Sequence, residues 1–160
     1  MFREMRRKKQ MLSYEESQAI LYQGSSGVLA LSGDDEYPYA VPVSYVYDGK
    51  ALYFHSAKEG HKLDAIRRNA RASFCVTAQD LVMPEEYTTY FKSVIVFGRI
   101  RIIENEAEKR AAIEKLAVKY APDDSKDNRQ GAIDREWPAL CMLEMTAEHI
   151  SGKAAKELIK

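Results

Sequence analysis

Two cysteines, three histidines and one tryptophan are all that this chain of 160 residues has of those types. Cys75 and Cys141 stand far apart, each inside an apolar run ("ASFCVTA", "LCMLEM"), which is how buried reduced thiols look and excludes a disulfide framework. Nothing supplies zinc ligands at recognisable spacing, so no metal is assigned. Charge of one sign is missing as well: 24 Lys and Arg balance 24 Asp and Glu, leaving no global attraction for nucleic acid or a membrane surface. No apolar run approaches the roughly 20 residues of a membrane span. The basic start is followed by "QMLSYEES" where a signal peptide would have an apolar core, so the expectation is a cytoplasmic protein. Internal repeats, low-complexity tracts and a GxGxxG dinucleotide fingerprint are all absent.

What is present fits a single domain over 1–160, long enough to bury a core without staples. Residues 1–12 form a basic arm in which Arg3, Arg6, Arg7, Lys8 and Lys9 face one acid, Glu4. Such a run is a solvated terminus in the first instance, and one able to pack on a partner subunit.

Six apolar runs have strand character: "VLALS" from Val28, "YAVPVSYVY" from Tyr39, "ALYFHS" from Ala51, "ASFCVTA" from Ala72, "SVIVFGRIRII" from Ser93 and "LCMLEM" from Leu140. "SGDDEYP" and "YDGK" between them read as hairpin turns. Helices are predicted at "SYEESQAILY", where Ser13 and Glu16 have capping-box spacing, at "GHKLDAIRRN", and at "EAEKRAAIEKLAVKYA". "PDDSKDNRQGAIDRE" reads as a polar, exposed connection. The pattern predicts a mainly β domain with α, its six strands forming a barrel or sandwich.

One stretch asks for more than packing. In "YFHSAKEGHKLDAI", Tyr53 to Ile66, alternation sends Leu52 and Phe54 to one face of a strand and Tyr53 and His55 to the other. The chain then turns through Ala57, Lys58, Glu59 and Gly60 into a helix start, whose free N–H groups favour an anion and where His61 and Lys62 add donors. A phosphate-bearing ligand lying across the strand end would use all of these groups. A surface histidine and an ordinary helix start remain the plain alternative.

Over most of its length the chain resembles the FMN-binding split-barrel flavoproteins related to pyridoxamine 5′-phosphate oxidase, and among them the nitroimidazole-resistance (nitroimidazole reductase-like) branch. The resemblance rests on "MRRKKQMLSYEES", "GVLALSGDDEYPYAVPVSYVY", "LYFHSAKEGHKLDAIRRNARASFCV", "YFKSVIVFGRIRII" and "ISGK", in that order. It implies a six-stranded antiparallel split β-barrel with flanking helices that forms a homodimer, with two FMN sites at the subunit interface. Main-chain groups of Val43, Ser44 and Tyr45 map to the polar edge of the flavin ring, and Ser56, Ala57, His61 and Lys62 to its phosphate side. Tyr90, Lys92, Ser93 and Val94, with the region of Trp137, map to what the partner chain contributes, although Trp137 equally suits a plain core position. His55 maps beside the flavin and the substrate pocket, as a proton donor or an orienting hydrogen-bonding group.

The arginine-rich phosphate clamp of true pyridoxamine phosphate oxidases has no match in "HSAKEGHK", which points away from vitamin B6 oxidation. The implied activity is reduction of a small electron-poor molecule such as a nitroimidazole, a reduced nicotinamide or another donor charging the FMN. Split barrels of this kind that bind haem or a deazaflavin, or that only hold flavin without turnover, are the alternatives.

Overall fold

The computed structural model describes residues 1–160. Seven strands run in chain order: β1 (Ser26–Ser32), β2 (Pro38–Ser44), β3 (Val46–Tyr47), β4 (Ala51–Ala57), β5 (Arg71–Met83), β6 (Thr88–Ile102) and β7 (Leu140–Ala154). Four α-helices accompany them: α1 (Tyr14–Gln23), α2 (His61–Arg68), α3 (Glu106–Tyr120) and α4 (Lys126–Glu136). None is long and apolar enough to cross a membrane.

Every ladder is antiparallel, and the strands lie in the order β2-β1-β5-β6-β7-β4-β3. The two edges of this sheet, β2 and β3, are separated along the chain by Tyr45 alone. A single residue spans under 4 Å per peptide, so the sheet has to curl until its edges come together, which makes it a split barrel. Here lies the difference from six expected strands: "YAVPVSYVY" is not one strand but two, broken where the chain steps from one edge to the other. Tyr45 is fully buried at that step, its hydroxyl donating to the Leu21 carbonyl at 2.8 Å.

The core fills the inside of the curl. Leu29, Leu52, Phe54, Phe74, Val96 and Leu143, from five strands, are all wholly buried, and Phe74 meets both Tyr45 and Phe54 edge-on at 4.9 and 5.2 Å. α1 begins with the capping box read from its sequence, Ser13 accepting from Glu16 N–H and Glu16 from Ser13 N–H. The basic arm lies along its own sheet: Phe2 stacks on His149 and Phe97 at 4.9 and 5.6 Å, and Met11 bridges to Lys153.

α4 occupies the stretch that reads as a polar connection. Only Ile133 of its residues is buried, so the 3.6-residue apolar period that marks a helix is missing. Its start is nevertheless signalled by Ser125, whose hydroxyl accepts from the Asn128 N–H at 3.1 Å.

The "YDGK" turn does join β3 to β4, and it also fixes α3. The Asp48 carboxylate accepts from the N–H groups of Lys50 and Ala51 at 3.0 and 2.9 Å and from the Lys115 ammonium of α3 at 2.8 Å. Partial burial pushes this carboxyl up, but the Lys115 contact and the two N–H groups outweigh burial and hold it at about 2. A carboxyl depressed in the folded state stabilises above its unfolded value and loses that contribution as pH falls through the folded one. Asp48→Asn is therefore expected to cost about 1 kcal/mol at pH 7, after allowance for solvent screening. Urea unfolding at pH 7 and near pH 2 reads this, the gap between variant and parent closing at the lower pH.

Candidate functional site

β4 delivers the site. Phe54 points into the core while His55 and Tyr53 face outward, His55 exposed and Tyr53 half-buried under α3. Lys115 of α3 lies over the Tyr53 ring at 4.7 Å. One residue further along, half-buried Ser56 pairs with Cys141 of β7, which belongs to the core. Gly60, at φ 137° and ψ 175°, then turns the chain into α2, a conformation that a side chain would strain.

α2 buries Leu63, Ala65 and Ile66 against the core, which sends the two residues at its start to opposite flanks. Lys62 is half-buried toward β7, and burial lowers the pKa of its ammonium. His61 goes the other way, packed at a 32° tilt on Tyr39 with centroids 4.0 Å apart, and 3.7 Å from the Asp34 carboxylate. Arg68 holds the same Asp34 at 2.7 Å. The structure thus brings Ser56, Ala57 and Lys62 together and leaves His61 with the β1–β2 hairpin.

Three further cations join Lys62: Lys58 from the same turn, Arg67 from the end of α2, and Lys109, which no local motif announces. The Cys141 thiol is pushed up by its burial, and Lys109, Arg67, Lys58 and Lys62 pull it back down, so all four place positive potential at the barrel end. Lys109 belongs to α3. It stands over the Trp137 ring at 4.1 Å and donates to the Trp137 carbonyl at 3.4 Å. Burial and then the nearby Lys58 lower its pKa. Lys62 and Lys109 are the half-buried members, while Lys58 is exposed and Arg67 is exposed and paired with Asp64 at 3.5 Å, so the first two have the most to gain from an anion. Trp137 therefore has a role within its own chain: it seats Lys109.

Beside this cluster opens a cavity of about 450 Å³ lined by Ser44 and His55 from the sheet and by residues of α3 and α4. Its volume lies in the range of small-molecule sites. Ser44 and His55, eleven residues apart in the chain, share its wall.

The other expected residues lie elsewhere. Val43 packs against the core. Tyr45 has its main chain engaged within the subunit, its N–H donating to the Ser25 carbonyl at 3.4 Å and its carbonyl accepting from Lys119 at 3.2 Å. Tyr90 donates to Glu86 at 2.7 Å, Ser93 lines a separate hollow under the basic arm, and the Val94 side chain is wholly buried. Ser93 and Lys92 pair with Lys153 and Ala154, a dozen residues along β7 from Cys141. At about 3.3 Å per residue that is roughly 40 Å of strand. None of Tyr90–Val94 lines the cavity that holds His55. No group of three or more His, Cys, Asp or Glu side chains gathers as a metal site.

Comparison with known proteins agrees with this geometry at the level of the fold. The pyridoxamine 5′-phosphate oxidase family model matches residues 13–154. An uncharacterised protein of Rhizobium meliloti is 34% identical over 91 residues, which are 56% of this chain and 54% of that one, so the match spans about half of the relative's length. Among solved structures, a candidate 5-nitroimidazole antibiotic resistance protein of Bacteroides thetaiotaomicron superimposes with a TM-score of 0.77 at 21% identity, over 90% of this chain and 86% of that one. An FAD- and haem-binding protein of Mycobacterium smegmatis gives 0.72 at 22% identity, over 92% and 73%.

Proposed function

The chain belongs to the pyridoxamine 5′-phosphate oxidase family, and from that premise we propose that it binds a flavin, FMN in the first instance, and reduces a small electron-poor molecule beside His55. The observation that carries this reading is the register that sets Ser56 against Cys141 just before the turn into α2, with Lys58 on that turn, Lys62 at the start of α2, and Arg67 and Lys109 close enough to act on the Cys141 thiol. Four cations, a serine hydroxyl and the start of α2 are the donor set a phosphate monoester calls for, and the cavity holding Ser44 and His55 adjoins it. These residues fit the phosphate of a flavin.

Lys62 and Lys109 would neutralise that phosphate, with Trp137 keeping the Lys109 stem from swinging to solvent. Ser56 would donate a hydrogen bond from its hydroxyl to a phosphate oxygen. A bound flavin supplies two-electron transfer, chemistry no side chain here provides. His55 would hold a proton on its imidazole at the cavity wall and present it to the molecule being reduced. The Mycobacterium smegmatis neighbour binds haem as well as FAD, and reconstitution with FMN, FAD, haem and a deazaflavin in parallel separates these by their spectra.

Lys62→Ala is expected to weaken FMN binding by about 1–3 kcal/mol, roughly 5-fold to 150-fold, through loss of a charge-assisted contact. Fluorescence titration measures it, and unchanged affinity would remove Lys62 from the phosphate site.

The reading includes a homodimer. Val28, Cys75 and Ile95 stand in one line across β1, β5 and β6, with Val28 and Ile95 each 40% exposed. This outward apolar row suits a second copy, which would also offer Tyr90, Lys92 and Ser93 to the first copy's site. Light scattering reads it directly, a monomer at micromolar concentration being the contrary result.

A further inference from the structure

The cavity beside His55 has a roof that phosphate binding leaves unused. Seven of its ten lining residues are hydrophobic, among them Ile113, Ala117, Ala132 and Ile133 of α3 and α4. The Tyr120 hydroxyl is turned to the Ser25 carbonyl. That leaves Ser44, His55 and Glu136 as its polar groups, and no lysine or arginine reaches the lining. Of the cations nearby, Arg110 is held by Asp134 at 2.6 Å and Lys119 by the Tyr45 carbonyl at 3.2 Å; Arg129 of α4 has a buried Nε without a hydrogen-bond partner, yet it does not line the cavity.

An anion entering this space would give up water for apolar wall and meet a carboxylate in place of a counter-charge. A neutral ring loses little, and a ring with one positive charge gains Glu136. Ala117 and Ala132 carry the smallest side chains of the roof, so they leave the room that a flat ring needs.

We propose that this cavity binds a flat apolar molecule that is neutral or singly positive, with Glu136 setting the charge preference and Ala117 and Ala132 setting the size. It rests on the function proposed above only in calling that molecule the substrate. A consequence follows for the family's name: a substrate phosphate seated in this cavity finds no lysine or arginine, so phosphorylated pyridoxamine is rejected there.

Three probes with the same ring and charges of plus one, zero and minus one test this: benzylamine, benzyl alcohol and benzoate. Titrated into the full-length protein, benzylamine and benzyl alcohol should shift the methyl resonances of Ile113, Leu116 and Ile133 saturably. Benzoate should bind about fivefold or more weaker than benzylamine. Glu136→Gln should make benzylamine no better than benzyl alcohol, and Ala132→Phe should abolish all three responses. Ala117→Leu is the second cavity-filling variant should the first not fold. Benzoate binding as tightly as benzylamine, a silent methyl set, or a benzylamine preference that survives Glu136→Gln would each overturn the proposal. Flavin titration of the same samples keeps the two ideas apart: methyl shifts without flavin binding would sink the flavin reading and leave this one standing.

Discussion

Gly98→Val is expected to cost roughly 3–5 kcal/mol, enough to unfold most marginally stable proteins. Gly98 lies on β6 where its ladder with β7 slips: Phe97 faces His149, yet Gly98 faces Ala147, so Glu148 is the extra residue of a bulge. A β-carbon at position 98 would sit 2.0 Å from the Thr146 carbonyl oxygen and 3.3 Å from the Ala147 Cα. Both obstacles are main chain of the neighbouring strand and cannot rotate away. The same β7 pairs with β4, so a shift there reaches Ser56 and His55 as well. Gly131 in α4 is the control, since a β-carbon added there would meet nothing within 4 Å. Gly131→Ala should stabilise by about 0.5–1 kcal/mol through helix propensity. Urea unfolding of both variants decides it, and a Gly98→Val protein as stable as its parent would mean the bulge can relax.

Period and punctuation explain what could be read beforehand. Leu52, Phe54 and His55 fall on the faces that alternation assigns, because a strand between core and helix leaves no other choice. Gly60 marks a turn that only glycine enters easily. The step at Tyr45 is not legible, since the one break signal in "YAVPVSYVY", Pro42, lies inside β2 and not at the step. What breaks it is long-range: Leu21, Ser25 and Lys119 all seize Tyr45. Nor could sequence place Lys109 beside Lys58, which are fifty residues apart and meet because Asp48 ties α3 across β3 and β4. His61 departs from the phosphate side for the same kind of reason, an acid on a distant hairpin, Asp34. Local pattern therefore predicts the faces of β4, and tertiary contacts decide which side chains stand beside them.

His55→Ala is expected to keep flavin bound and to lower turnover by roughly a hundredfold to ten-thousandfold, the range a positioned proton donor supplies. The side chain is exposed on the outward face of β4, while the residue's main chain stays in the ladder with Met142. Removing the imidazole therefore takes nothing from the core formed by Leu52 and Phe54, and thermal stability should not move. The proposed phosphate cluster lies one residue further along β4, around Ser56, which is why retention and turnover should separate. His55→Gln then distinguishes the two roles open to the ring. A glutamine can still orient a bound molecule by hydrogen bonding but cannot deliver a proton at neutral pH, so a donor role predicts that Gln and Ala fall alike in kcat. An orienting role predicts that Gln recovers most of the loss, chiefly in KM. Turnover unchanged in both variants would reduce His55 to a surface residue at the cavity mouth. Loss of a Soret band on haem reconstitution of His55→Ala, with flavin affinity untouched, would instead make it an axial ligand.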